Sequence, residues 1–256
     1  MLGACVGSFA GVVIDRIPRG LSIVYPPSSC NACHKKLRIW HNIPIISCLA
    51  LRCRCHFCGS YYGKRSLMLE IIFALSLLAL YSKYGFSFAL VENSLLVLVL
   101  VCLAYIDLDT FSLPHSLLLA LYLIGILSGL IYYLYPDLYL RNDVFSLVDR
   151  LLGCVAGGLG FAVVNIIATY ILRRSKRLSA EQWAMGWGDP VLLAGIGLLV
   201  GASKLIMVVL LASLVGSIVG IIGKYRNQEQ PHPDIADGAI PYGPFLALAA
   251  IYVYLF

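Results

Sequence analysis

Long apolar stretches dominate this sequence and constrain its fold more than any other feature. A helix needs about 20 apolar residues to span the roughly 30 Å hydrocarbon core of a bilayer. Only 12% of the residues are charged, whereas a water-soluble globular protein has about 25%. We therefore expect an all-α membrane protein with about eight transmembrane helices in contact with lipid. The candidate stretches are approximately 1–14, 67–82, 87–106, 115–135, 148–172, 190–203, 204–223 and 241–256.

These stretches divide the chain into three parts. Residues 1–14 lack the charged region and cleavage site of a signal peptide, so we interpret them as a retained first transmembrane helix. Residues 15–66 form the single long polar segment, which is rich in cysteine. Residues 67–256 form a polytopic helical domain. The apolar run 190–223 is too long for one crossing, and we divide it near Gly201.

Basic residues are unevenly distributed between the stretches. Segment 15–66 carries nine of the 19 Lys and Arg residues and a single acid, Asp15. With eight crossings, this segment and two later basic loops fall on one side, which the positive-inside rule places in the cytoplasm. The net charge of +6 gives no reason to expect a nucleic-acid partner. The basic residues of the two later loops are Arg173, Arg174, Lys176 and Arg177, then Lys224 and Arg226.

The cysteines of segment 15–66 predict a metal site. Cys30 and Cys33 form one C-x-x-C pair, and Cys55 and Cys58 form a second one 21 residues later. A two-residue spacer lets both sulfurs of a pair face a common centre, so four thiolates can surround one Zn²⁺ tetrahedrally. We expect a structural zinc ion, whose binding supplies much of the folding free energy of this segment.

Alternatives to this zinc site stay open. The C-x-x-C cysteines could instead act as a redox dithiol pair, or their thiols could bind no ligand. Structural disulfides are a further alternative, which a reducing cytoplasm disfavours. His34, His56 or Cys53 could replace a cysteine ligand, and we expect Cys48 to be packed rather than ligating.

Acidic residues in or beside apolar stretches are few. Because ionisable groups in a membrane are costly, each is a candidate functional residue. Asp107 ends the third stretch and Asp189 immediately precedes the sixth, so the predicted topology places both at the cytoplasmic boundary. The full set is Glu70, Glu92, Asp107, Asp109, Asp149 and Asp189.

Two carboxylates at one membrane boundary suggest aspartic-protease chemistry. An ionised Asp takes a proton from water, while its protonated partner hydrogen-bonds the scissile carbonyl and then protonates the leaving amine. Gly186 and Gly188 would let an extended substrate approach Asp189 closely. Asp109 is the reserve candidate for the first acid, because residues two apart on a helix face different sides. The alternative is that these acids are interfacial polar residues, with Asp189 as a helix N-cap.

Six ordered motifs resemble those of the bacterial type IV prepilin leader peptidases, which are membrane aspartic proteases of the GxGD type and N-methyltransferases. The motifs cover nearly the whole chain. They are Gly7-Ser8-Phe9 with Arg16-Ile17-Pro18, the cysteine segment with Asn42-Ile43-Pro44, Glu70, Asp107 with Leu113-Pro114, Gly186-Trp187-Gly188-Asp189, and Ile240-Pro241-Tyr242-Gly243-Pro244-Phe245.

This resemblance implies a function. The chain would cleave the basic leader from prepilins or type II secretion pseudopilins at the cytoplasmic boundary of the bacterial inner membrane, with Asp107 and Asp189 as catalytic residues. It implies that the new N-terminus is then methylated with S-adenosylmethionine, for which Glu70 is a candidate cofactor-binding residue. The sequence does not define an oligomeric state.

Two alternative functions stay open. One is a polytopic transporter or proton-relay protein, in which Asp107, Asp189 and Glu70 carry ions and the cysteine segment senses metal. The other is a catalytically inactive, zinc-dependent docking protein of the secretion machinery.

Overall fold

The computed structural model describes residues 1–30, 32–38, 40, 43–135, 146–175, 182–225 and 241–255. Its described part consists of helices, two isolated β-bridges and connecting loops. The contacts divide the chain into two compact units, Met1–Leu98 and Val99–Phe256. Several residues considered above lie outside the described residues, namely Asn42, Lys176, Arg177, Arg226 and Ile240.

The first unit is built on two closely packed helices. Helix α1 (Leu2–Arg16) packs against α3 (Arg65–Tyr84), and the short α2 (Ile46–Ala50) precedes α3. A Cβ atom on Gly7 would lie 2.6 Å from the Cα of Glu70. A Cβ atom on Gly3, one helical turn earlier, would lie 2.6 Å from the Phe73 carbonyl oxygen. Small residues four apart thus let the two backbones approach closely, as is common between membrane helices.

The second unit is built around the first half of a long helix, α8 (Gly188–Tyr225). Its side chains Leu192, Ile196 and Val200 are fully buried. Helix α4 (Phe88–Thr110) enters this unit from the first one. The remaining helices are α5 (His115–Leu134), α6 (Leu147–Val155), a π-helical turn (Ala156–Gly160), α7 (Phe161–Arg174) and α9 (Gly243–Leu255).

Glycines allow α6 to pack directly on the backbone of α8. A Cβ atom on Gly153 would lie 2.7 Å from the carbonyl carbon of Gly201. One on Gly157, in the π-helical turn, would lie 2.6 Å from the Leu193 carbonyl oxygen. Larger side chains at these two positions would push the helices apart.

Helix α8 is interrupted at Gly201, as its length predicts. Gly201 has φ 71° and ψ 168°, a conformation that glycine tolerates and other residues avoid. The Asp149 carboxylate, on α6, accepts hydrogen bonds from the backbone N–H of Ser203 at 3.3 Å and from its hydroxyl at 3.1 Å. Asp149 therefore satisfies donor groups that the interruption exposes.

Within the described part of the chain, five helices are long and apolar enough to cross a membrane: Arg65–Tyr84, Phe88–Thr110, His115–Leu134, Leu147–Arg174 and Gly188–Ile222. They contain the predicted stretches from the second to the seventh, with 190–203 and 204–223 both inside the last of them. The first and last predicted stretches form helices of 15 and 13 residues. The prediction of an all-α membrane protein is confirmed, whereas the count of eight crossings stays a prediction.

Candidate active site and metal centre

Asp107 lies near the end of α4, and its side chain is only 5% exposed. Its Oδ2 atom accepts a hydrogen bond of 3.0 Å from the backbone N–H of Gly243, at the start of α9. Both residues belong to the second unit. The N–H of Gly243 therefore fixes one carboxylate oxygen, and the described residues provide no hydrogen bond to Oδ1.

Asp189 lies in the first turn of α8 and is 7% exposed. It and Asp107 are close enough for their charges to interact. The same holds for Asp189 and Tyr242. Two buried carboxylates whose charges interact have coupled ionisation, which an aspartate pair requires.

Tyr242 is held next to these acids by α7 and α8. Its hydroxyl lies 2.8 Å from the Ser213 hydroxyl and donates to the Val209 carbonyl at 3.4 Å. Its ring stacks on Phe161, with centroids 5.9 Å apart. Tyr242 therefore anchors the chain beside Gly243, whose N–H binds Asp107.

The other residues predicted for this site have distinct environments. Asp109 is exposed, whereas Asp107 is buried. Gly186 is exposed, and a Cβ atom there would lie 3.8 Å from Oδ2 of Asp189. Gly188 is half-buried, and a Cβ atom there would lie 3.0 Å from the Leu113 side chain. The backbone before Asp189 is therefore open at Gly186 and closely packed at Gly188.

The four cysteines predicted to bind metal form one cluster in the first unit. The sulfurs of Cys30, Cys33, Cys55 and Cys58 all lie within 4.8 Å of one another. The Cys30–Cys58 sulfurs are 3.8 Å apart and the Cys33–Cys55 sulfurs are 4.0 Å apart. A tetrahedral zinc ion with Zn–S bonds of about 2.3 Å places its sulfurs about 3.8 Å apart. The cluster therefore has the dimensions of a metal site.

Both cysteine pairs are held by the same backbone arrangement. A β-bridge closes each loop, Ser29 with Lys36 and Arg54 with Tyr61. In the first loop the His34 N–H donates to the Cys30 carbonyl at 2.8 Å. In the second loop the Gly59 N–H donates to the Cys55 carbonyl at 2.9 Å. The residue making this bond has positive φ in both loops, 55° at His34 and 70° at Gly59. The two loops thus present their sulfurs as equivalent halves of one site.

Hydrogen bonds favour the thiolate form of two of these cysteines. The backbone N–H of Cys33, the Ser60 hydroxyl and the backbone N–H of Ala32 lower the pKa of Cys30 to about 6. The hydroxyl and backbone N–H of Ser60 also lower the pKa of Cys58. The backbone N–H of Lys35 lowers the pKa of Cys33, but burial and hydrogen bonds with the Cys58, Cys30 and Cys55 thiols outweigh it and raise that pKa to about 11. Because a metal binds the thiolate, Cys30 and Cys58 favour metal binding at neutral pH, whereas Cys33 must lose its proton on binding.

The environment of Cys53 differs from the prediction. Cys53 forms a disulfide bond with Cys48, so its sulfur is not a substitute metal ligand, and Cys48 is not simply packed. The sequence argument treated cysteines in this segment as reduced and did not consider this short-range pair.

Glu70, on α3, is buried in the first unit, with 5% of the residue exposed. Its Oε2 accepts a 2.6 Å hydrogen bond from the backbone N–H of Ile45, and its Oε1 accepts one of 3.2 Å from the Ser66 hydroxyl. Ile45 has φ 64°, which is strained for a β-branched residue. Glu70 therefore stabilises the loop between the two cysteine pairs.

Sequence reasoning missed the contact between Gly243 and Asp107. The motif that contains Gly243 was noted only as the start of the last stretch. The 136 residues between the two partners leave no local signal for such a contact. The sequence does offer one indication that the chain packs closely at this point. A glycine, Gly243, stands directly before Pro244 at the start of an apolar helix.

The helices and the buried acids define a polytopic helical membrane protein with a candidate aspartate-pair site. Comparison with known proteins agrees with this class. Residues 1–84 match the bacterial peptidase A24 N-terminal domain, and residues 94–221 match the type IV leader peptidase family. The chain belongs to the type IV leader peptidase family. No solved structure matches the chain.

Three relatives share the name prepilin leader peptidase/N-methyltransferase. The one from Myxococcus xanthus is 37% identical over 87% of this chain and 61% of its own length. The one from Pseudomonas aeruginosa is 33% identical over 97% of this chain and 86% of its own length. The one from Legionella pneumophila is 31% identical over 90% of this chain and 72% of its own length. This chain therefore spans less than two thirds of the first relative and most of the other two.

Proposed function

We propose that this chain is a prepilin leader peptidase that cleaves its substrate with Asp107 and Asp189. The observation that carries the proposal is the burial of these two interacting acids in one unit, with Asp107 held by the N–H of Gly243. Membership of the leader peptidase family and the names of the relatives support the same activity.

The two acids have complementary tasks in the proposed reaction. The ionised member takes a proton from a water molecule, which attacks the scissile carbonyl. The protonated member hydrogen-bonds that carbonyl oxygen and then gives its proton to the leaving amine. Because Gly243 occupies Oδ2 of Asp107, Oδ1 is the oxygen that faces water or substrate.

The proposed substrates are prepilins and type II secretion pseudopilins. Such a precursor has a basic leader followed by an apolar helix. In the bacterial inner membrane, the helix would lie in lipid beside the spans while the leader stays in the cytoplasm. The excess of Lys and Arg in segment 15–66 and two later loops supports a cytoplasmic location for the cysteine segment and both acids.

We also propose a structural zinc ion at Cys30, Cys33, Cys55 and Cys58. The sulfur–sulfur distances and the matched loops support this assignment. When bound, the ion supplies folding free energy to segment 15–66. The ion has no part in the proposed cleavage, which needs only the two acids and water.

The second proposed activity is methylation of the new N-terminus with S-adenosylmethionine. The names of the relatives support it. Glu70 is the candidate cofactor-binding residue, and its hydrogen bond from the Ile45 N–H supports a role in holding the loop beside the cysteine segment. Glu70→Gln should reduce methylation while leaving cleavage within about twofold of the wild type.

The cleavage proposal is tested with purified protein in detergent and a prepilin peptide. We expect Asp107→Asn and Asp189→Asn each to abolish cleavage, with both variants still present in the membrane fraction. Cleavage by the wild type should survive a zinc chelator over the time of the assay. Wild-type turnover by Asp107→Asn would overturn the assignment, and hydrolysis that requires zinc would indicate a metalloprotease. No cleavage by the wild type would favour the docking or transport alternatives.

A further inference from the structure

A short segment of bends and a turn leads directly into Asp189. Residues 182–187 follow α7 and end where α8 begins at Gly188. Gly186 and Gly188 stand on either side of Trp187, and the N–H of Asp189 donates to the Gly186 carbonyl at 3.2 Å. Glycines restrict the backbone least of all residues. This segment therefore needs contacts from elsewhere to keep Asp189 in one position.

Polar side chains of α7 provide such contacts. Arg173 donates to the Gln182 carbonyl at 3.0 Å, and two others hold the residues directly before Gly186. Asn165 donates through Nδ2 to the Met185 carbonyl at 3.0 Å and accepts through Oδ1 from the Met185 N–H at 3.1 Å. Thr169 accepts through Oγ1 from the Ala184 N–H at 3.0 Å. Thr169 also donates to Oδ1 of Asn165 at 3.5 Å. We call Asn165 and Thr169 the α7 clamp.

The α7 clamp is buried in the apolar part of α7, before the two arginines that end the helix. Asn165 is 0% exposed and Thr169 is 3% exposed. A buried polar group costs free energy unless it is hydrogen-bonded, and this cost is a reason for polar residues inside membrane helices to have a specific task. Asn165 and Thr169 lie four residues apart and so share one face of α7. Both side chains form hydrogen bonds with the same short segment, 182–187.

The hydrogen-bond pattern also fixes the register of the segment. The amide of Asn165 pairs with both backbone groups of one residue, Met185, as a neighbouring β-strand would. A shift of the segment by one residue would turn these groups away and leave them unpaired. The register is thereby set four residues before Asp189.

We propose that Asn165 and Thr169 are positioning residues for cleavage, which act by holding residues 184 and 185 so that Asp189 faces Asp107. This inference rests on the proposed function, because it assigns a task to the side chains behind one of the two acids. The α7 clamp touches neither acid. It restricts the conformations that the two glycines would otherwise allow.

The test compares four variants for cleavage of a prepilin peptide. Thr169→Val keeps the shape of the side chain and removes the hydroxyl, whereas Thr169→Ser keeps the hydroxyl. Asn165→Leu removes both hydrogen bonds to Met185. The control is Ser175→Ala, directly after the last residue of α7, because the Ser175 hydroxyl donates to the Ile171 and Leu172 carbonyls of α7 itself.

We expect Thr169→Val and Asn165→Leu to lower kcat at least tenfold with KM within twofold of the wild type. Thr169→Ser and Ser175→Ala should keep kcat within twofold. Wild-type kcat in either Thr169→Val or Asn165→Leu would overturn the proposal. So would an equal loss in Thr169→Ser and Thr169→Val, because the hydroxyl would then have no part in positioning.

A second measurement tests the α7 clamp without cleavage. The chain has three tryptophans, and Trp183 and Trp187 both lie in segment 182–187. In a Trp40→Phe background, Thr169→Val and Asn165→Leu should increase acrylamide quenching of these two, whereas Ser175→Ala should not. Unchanged quenching would overturn the α7 clamp. Absence of wild-type cleavage would overturn the proposed function, and the quenching result would still stand.

Discussion

The substitution Gly243→Ala tests the close contact on which the geometry of Asp107 depends. A Cβ atom at residue 243 would lie 2.6 Å from Oδ2 of Asp107 and 3.1 Å from its Cγ. These distances are shorter than van der Waals contact, so the carboxylate or the start of α9 must move by several tenths of an ångström. The movement would also weaken the 3.0 Å hydrogen bond from the Gly243 N–H.

The structure sets the size of the expected effect. Overpacking of a well-packed site costs about 1–3 kcal/mol, and a hydrogen bond to a charged group contributes about 1.5–3 kcal/mol. Partial relaxation makes about 2 kcal/mol a reasonable loss of unfolding free energy. A displacement of about 1 Å at a reacting group can lower the rate about 100-fold, so for a shift of several tenths of an ångström we expect cleavage by Gly243→Ala to fall about tenfold or more.

A double-mutant cycle separates this contact from a general effect of the methyl group. In an Asp107→Ala background, the atoms that the new Cβ meets at 2.6 and 3.1 Å are absent and the residual contact is with the Asp107 Cβ at 3.5 Å. Gly243→Ala should then cost less than about 0.5 kcal/mol, so the two sites should show coupling of about 1.5 kcal/mol. Thermal unfolding in detergent measures each variant.

Gly160→Ala is the matched control, because a Cβ atom at residue 160 meets nothing within 4 Å. It should change neither the unfolding midpoint nor the cleavage rate appreciably. The reasoning is refuted if Gly243→Ala destabilises both backgrounds equally, or if it cleaves the prepilin peptide at the wild-type rate.

Three further variants test other parts of the structure. Cys58→Ser should lower the zinc content of the purified protein well below one ion per chain, measured by elemental analysis, whereas Cys5→Ser should leave it unchanged. Asp109→Asn should keep cleavage within about threefold of the wild type because Asp109 is exposed; a loss as large as that of Asp107→Asn would contradict the choice of first acid. Gly153→Ala should destabilise the protein by about 1–3 kcal/mol, because its Cβ would meet the backbone of α8 at Gly201, and an unchanged unfolding midpoint would argue against that packing.

Features with a local signal were predictable from the sequence. Apolar length located the helices, and the interruption at Gly201 followed from a stretch too long for one crossing. The two C-x-x-C pairs predicted the cysteine cluster because their spacing alone lets the sulfurs converge. The choice of Asp107 over Asp109 was less secure, because helix periodicity says that the two face different directions but not which one is buried.

Contacts between distant residues were not predictable. Asn165 pairs with Met185 across 20 residues, and Gly243 pairs with Asp107 across 136. Neither contact changes the hydropathy pattern that identifies a helix. Asn165 and Thr169 left one usable signal, since two polar residues four apart in an apolar helix indicate a polar task on that face. The disulfide between Cys48 and Cys53 was missed because the argument from cellular reducing conditions took no account of their proximity.

The interruption of α8 has a mechanical consequence. The two parts of α8 lie on either side of Gly201. The first contains Asp189, and the second packs beside α9. They are joined through the backbone torsions of Gly201 rather than through an unbroken series of helical hydrogen bonds. Asp149 already satisfies the Ser203 donors beyond that joint. A small change in direction at Gly201 would therefore break few hydrogen bonds, and bending strain applied to the distal segment would be absorbed before it reached the acid at the opposite end.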